Sequence, residues 1–116
     1  MEALSEAKLL RVFIGESDKV RHVPLYEAIV REAKAAGLAG ATAWRGLMGF
    51  GPSTRIRTAK ILDLSADLPV VVEITDEEAK IAAFLPVLDR LFAESKSGGL
   101  VTLEKVQIIR YCHGER

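Results

Sequence analysis

At 116 residues the chain has room for one hydrophobic core and none for a second. Its sixteen basic and sixteen acidic residues cancel, so no global field recruits nucleic acid or an anionic membrane, and the basic excess of a duplex binder is missing. A single cysteine, Cys112, leaves no internal disulfide and fits a reducing compartment. No apolar run reaches the length of a membrane span, and residues 1–6 lack the basic-then-apolar pattern of a secretion signal. The expected location is cytoplasmic.

Residues 1–7 read as a flexible lead-in. Lys8 to Ile14 is rich in Leu, Val, Phe and Ile and stops at Gly15, which predicts a buried strand. Pro24 suits the first turn of a helix, where its missing N–H has no partner to lose. Leu25, Ile29 and Ala33 then recur every four residues with Tyr26 and Val30 beside them, and Gly37 provides a C-terminal stop. A second strand is expected over Ala41–Arg45, and Thr58–Leu64 alternates as an extended segment. After the turn Ser65–Pro69, Val70–Ile74 is the clearest strand of the chain. Thr75 and Glu78 have capping-box spacing for a second helix, whose apolar positions Ile81, Phe84, Leu85, Leu88, Leu91 and Phe92 keep a helical period. Pro86 inside it predicts a kink or a restart. Ser95–Gly99 is a flexible break, and Leu100–Leu103 with Val106–Tyr111 forms the last extended region.

The major elements follow the order strand, helix, strand, strand, helix, strand. This is an α+β, ferredoxin-like βαββαβ plan: a four-stranded antiparallel sheet with both helices on one face, in a single domain over residues 1–116. The other sheet face needs a cover. Its candidate residues Leu9, Phe13, Val71, Ile109 and Tyr111 are apolar enough for self-association to supply one.

The most informative segment is Arg45–Arg57, with three glycines, a proline and three arginines between two extended runs. Glycines turn backbone N–H groups toward an anion, and arginines bring charge and forked donors. Arg45, Arg55, Arg57 and Lys60 place four cations within sixteen residues, and Gly49 and Gly51 free the backbone between them. The structural alternative is a solvated loop offset by Asp63 and Asp67. Glu16, Ser17 and Asp18 follow the first strand and read equally well as a cleft lining or a polar turn. His22 and His113 lie far apart, no Cys/His/Asp grouping has metal-ligand spacing, and no nucleophile stands beside a base, so no enzyme is expected. Tyr26 and Trp44 read as packing residues.

These motifs in this order resemble the PII-like proteins grouped as domain of unknown function 190. The resemblance rests on Arg11–Asp18, Pro24–Val30, Gly40–Thr42 with Arg45–Gly46, Gly49–Gly51, Thr58–Leu62, Asp67–Val70 and Phe84–Leu88, and covers nearly the whole chain. More distantly, Gly49-Phe50-Gly51 resembles the start of the long T-loop of PII signal transducers. Residues 109–115 resemble their last strand. Gly99 alone matches their glycine–aspartate–glycine–lysine loop, Leu100 stands where its lysine would be, Cys112 replaces a second arginine and leaves Arg110 as the match, and Ser53 stands for a T-loop glutamine.

The resemblance implies a homotrimer with an adenine nucleotide or another small anion in the cleft between neighbours. The implied ligand-binding residues are Arg45, Gly49, Phe50, Gly51, Ser53, Arg55, Arg57, Lys60, Gly99 and Arg110. It places the end of the first strand away from the loop base, so Glu16, Ser17 and Asp18 fall outside that set. The expected function is regulatory: effector binding changes a loop that is presented to a target protein. Two alternatives stand beside it: a ligand-free interaction module acting on a membrane transporter or channel, and a metal-tolerance protein like the CutA family. Nucleic acid is not an expected partner.

Overall fold

A computed structural model describes residues 5–52, 56–58 and 67–115, with the backbone alone at 57 and 58. Strand β1 (Ser5–Gly15) is followed by a short hairpin of β2 (Lys19–Val20) and β3 (Val23–Pro24), then helix α1 (Leu25–Ala35) and strand β4 (Ala41–Arg45). Strands β5 (Met48–Gly49) and β6 (Arg57–Thr58) form a second small hairpin, and β7 (Pro69–Asp76), helix α2 (Glu78–Ser95) and β8 (Leu100–Ile108) complete the chain. The main sheet has the order β4-β7-β1-β8 with every pairing antiparallel. The ferredoxin-like arrangement inferred from the sequence is therefore present, with both helices packed on one face.

Alternation decides which residues those helices cover. Leu10, Val12 and Ile14 of β1 and Val70, Val72 and Ile74 of β7 face them and are buried, as are Leu25, Ile29 and Ala33 of α1 and Ile81, Phe84, Leu88 and Leu91 of α2. The predicted stripes of both helices are thus the core. α1 ends as expected at Gly37, whose φ of +80° suits glycine. The Leu38 N–H reaches the Ala33 carbonyl at 3.1 Å and the Gly37 N–H the Lys34 carbonyl at 3.1 Å, a Schellman closure.

Several boundaries differ from the sequence expectation. β1 starts at Ser5, and Ser5, Glu6 and Ala7 pair with Ile108, Gln107 and Val106, so this part of the expected flexible lead-in belongs to the sheet. Pro24 closes β3 and precedes α1 rather than entering its first turn. Thr75 lies in β7, and α2 begins after Glu77 without a side-chain cap from that residue. Asp76, ahead of the N-cap, accepts the Glu77 N–H at 2.7 Å and, across the chain, the Ala39 N–H at 2.9 Å. α2 runs through Pro86 without restarting. The proline and Ala82, whose carbonyl loses its partner, are both exposed, so water can satisfy that carbonyl. β8 stops at Ile108, short of the expected Tyr111. Beyond Thr58, the extended segment expected over 58–64 lies outside the described residues.

The uncovered parts of the sheet are the open face and β8. On the open face, register aligns Trp44, Val71, Phe13 and Leu100 into one apolar row across all four strands. Trp44 is 53% exposed and Leu100 49%, so Trp44, expected to pack, lies largely open in the single chain. Tyr26 does pack partly buried against the core. Val101 and Leu103 point to the helix side but remain exposed, because the helices reach only β4, β7 and β1.

Candidate functional site

The arginine–glycine segment leaves the sheet at Arg45 and returns to it at Pro69, so its two feet are the end of β4 and the start of β7. Arg45 pairs with Val70, and the Gly46 N–H donates to the Pro69 carbonyl at 2.7 Å, closing the feet on each other. Pro69 is tolerated because it is the first residue of its strand. A Cβ on Gly46 would stand 3.0 Å from the Pro69 ring, so a side chain at this foot would need the ring to give by a few tenths of an ångström. Gly49 pairs with Arg57 in the β5–β6 hairpin, so Gly49 serves a turn-forming ribbon. Leu47 and Phe50 are 84% and 72% exposed, and Met48 and Ile56 are exposed as well. Ser53, Arg55 and Lys60 lie outside the described residues, and the side chain of Arg57 is not described.

The turn after β1 joins this base, contrary to the expectation that it lies elsewhere. Gly15 pairs with Pro69, which carries Glu16, Ser17 and Asp18 alongside both feet. The Glu16 N–H donates to the Leu68 carbonyl at 2.8 Å, and the Glu16 carboxylate forms an ion pair with Arg45, 2.9 Å from its Nε. The Ser17 N–H reaches the Asp67 carboxylate at 3.0 Å, and Asp18 folds back to accept the Gly15 N–H at 2.8 Å. A cavity of about 170 Å³ is lined there by Glu16, Tyr26, Ala43, Trp44, Arg45 and Val70. The sequence offers Glu16, Ser17 and Asp18 as a cleft lining or a polar turn; what it cannot supply is the non-local pairing of Gly15 with Pro69.

Gly99 lies at the same end of the sheet, immediately before β8. A Cβ there would come 2.6 Å from the Phe92 ring and 3.1 Å from the Phe13 carbonyl, so close approach to α2 and β1 requires glycine. Arg110 lies at the opposite end. The pairings Arg45–Val70–Ile14 and Ile108–Ser5, with the tail returning to Ala39, put it roughly 20–30 Å from Arg45 along the strands. The tail that carries it crosses the end of the sheet, and the Tyr111 hydroxyl donates to the Ala39 carbonyl at 3.0 Å. Within one chain, then, Arg45, Gly46, Gly49 and Gly99 share one end, and Arg110 does not join them.

The open face between these ends forms a groove of about 810 Å³ whose lining includes Arg11, Thr42, Glu73, Arg110 and Tyr111. Arg11 bonds Glu73 at 2.7 Å and also Glu104, linking β1 to both neighbours. The bond to Glu73 dominates in pushing this guanidinium above its already high pKa, opposed by desolvation and aided by Glu104. Among the described residues, no three His, Cys, Asp or Glu side chains group as metal ligands. Among them too, no helix is long and apolar enough to cross a membrane.

Comparison with known proteins agrees with this architecture. A protein of Aquifex aeolicus (strain VF5) named UPF0166 is 43% identical over 102 residues, covering 88% of this chain and 92% of its own. Among solved structures, CPII of Thiomonas intermedia K12, a nitrogen regulatory PII-like protein bound to ADP, AMP and bicarbonate, superposes with a TM-score of 0.70 at 19% identity over 92% of both chains. TTHA0516 of Thermus thermophilus, described as a putative PII-like signaling protein, gives 0.62 at 20% identity over 96% of this chain and 100% of its own. A phage SAM lyase in complex with S-methyl-5'-thioadenosine gives 0.50 at 18% identity over 95% of both chains, so this fold serves catalysis as well as binding. Residues 7–108 match the family DUF190, "Uncharacterized ACR", and the chain belongs to that family, with the fold of the PII-like proteins.

Proposed function

We propose that this protein is a PII-like regulatory module that binds a small anionic effector, an adenine nucleotide foremost, and presents the 46–57 loop to a target protein. It acts as a homotrimer of single-domain chains in the cytoplasm, without catalysis. The observation that carries this reading is the separation of the cationic elements. Arg45 and Arg110 sit at opposite ends of one sheet, so a site using both must draw them from two chains. The open apolar row Trp44–Val71–Phe13–Leu100 supplies a reason for chains to meet. Arg45, Gly49, Phe50, Gly51, Ser53, Arg55, Arg57, Lys60 and Gly99 of one chain and Arg110 of the next are the proposed contacts. The ADP and AMP bound by CPII support the choice of ligand class.

Titration calorimetry with ATP, ADP and AMP tests it. Heat is expected with at least one of them and is lost in Arg55→Ala/Arg57→Ala; no heat with any nucleotide overturns the nucleotide reading. A second reading, an interaction module without a small ligand, is favoured by the exposed apolar residues Leu47, Met48, Phe50 and Ile56 at the loop. Capture of a transporter or channel from native extract by the whole protein, abolished by deleting the loop and indifferent to nucleotide, selects that reading.

A further inference from the structure

The two feet of the loop are joined by a residue that belongs to neither. Glu16, in the turn after β1, reaches the first foot through its carboxylate, which forms an ion pair with Arg45, 2.9 Å from its Nε. It reaches the second through its backbone N–H, which donates to the Leu68 carbonyl at 2.8 Å; the other carboxylate oxygen faces the Leu68 N–H at 3.5 Å. The Glu16 side chain is 17% exposed and that of Arg45 64%, so the carboxylate is sheltered while the guanidinium stays within reach of a ligand.

We propose that Glu16 is a clamp on the loop base and an internal competitor for Arg45. This rests on the reading that an anion binds at Arg45. A phosphate group is a forked acceptor of the kind the guanidinium prefers, as is the Glu16 carboxylate. An anion that takes Arg45 strips Glu16 of its cationic partner and leaves a sheltered carboxylate facing, among the described residues, only the Leu68 N–H. The feet then lose the Glu16 tie, and the Gly46–Pro69 bond and the Arg45–Val70 pairing hold the base without it. By reciprocity, whatever closes the clamp weakens the anion, and whatever opens it strengthens the anion by the same factor. Glu16 is a positioning residue in this scheme: it sets the loop's resting state and the threshold for leaving it.

Two measurements on the whole protein test the clamp. Hydrogen exchange at the Glu16, Gly46 and Leu68 amides in nucleotide-free protein is expected to quicken about two- to fivefold in Glu16→Gln, the scale of one partly exposed ion pair. Arg45→Gln is expected to match it, and the double variant to exchange no faster than either. Unchanged exchange in the single variants, or additive effects in the double, overturns the clamp. Calorimetry with ADP is expected to show binding about two- to fivefold tighter to Glu16→Gln than to the parent; equal affinity overturns the competition. No heat from either protein overturns the nucleotide reading and the competition together, while exchange still decides the clamp. Glu16→Asp, which keeps the charge and shortens the reach, guards against misfolding and is expected to fall between parent and Gln.

Discussion

The covered face and the open face of the sheet are made by alternate residues of the same strands, yet they are built for different partners. Val12 and Val72 point to the helices and are fully buried. Their neighbours Arg11 and Glu73 point the other way and form an ion pair in the open. A period of two is enough to let one strand hold a core on one side and an exposed apolar row on the other. The difference teaches that damage to the two faces should separate: one side governs whether the chain folds, and the other, in the proposed trimer, whether folded chains find each other.

The largest expected effect on folding comes from the covered face. Phe84 is among the largest fully buried side chains, and Phe84→Ala is expected to cost about 3–5 kcal/mol in urea unfolding. Gly99→Ala comes next, because the added methyl would meet the Phe92 ring at 2.6 Å and the Phe13 carbonyl at 3.1 Å. About 1–3 kcal/mol is expected to be lost, with partial recovery in Gly99→Ala/Phe92→Leu as the check. Tyr111→Phe, which deletes the bond to the Ala39 carbonyl, is expected to cost about 0.5–1 kcal/mol or less, with faster exchange in residues 109–113 as its signature. Leu100→Glu should do least to folding, within about 0.5 kcal/mol when measured on diluted protein. It should nonetheless do most to association: light scattering is expected to show trimers in the parent and monomers in the variant, and the parent's unfolding midpoint alone should rise with protein concentration. A Leu100→Glu protein that stays trimeric breaks the division between the faces.

The residues that were legible in the sequence are those whose structure is set locally. Leu25, Ile29 and Ala33 mark the buried stripe of α1 because helical period alone brings them together. The same holds for Ile81, Phe84, Leu88 and Leu91 of α2, and for the alternation of β7. The apolar row was half legible. Phe13 and Val71 are legible, but Trp44 and Leu100 belong to it only through the non-local registers Trp44–Val71 and Phe13–Leu100, the second of which spans most of the chain. Glu16 was missed for the same reason, since its place beside Arg45 depends on the pairing of Gly15 with Pro69 across the sheet. Thr75 reads as a cap in the sequence, but β7 runs on through Asp76 and the N-cap falls at Glu77, two residues later. Of the ten proposed site residues, Ser53, Arg55, Arg57 and Lys60 depend on a segment whose side chains are not described.

The tail that crosses the sheet has a mechanical meaning. It runs from β8, one edge strand, to Ala39 just ahead of β4, the other edge strand, and the Tyr111 hydroxyl fastens it there. The four strands are thereby strapped together at one end and carry no such strap among the described residues at the other. The strap and the loop base therefore stand about 20 Å apart along β4 and join the strands by different means. Near the tail one side-chain bond reaches from edge to edge, while at the loop the central strands are gripped to β4 by Glu16, Arg45 and Leu68.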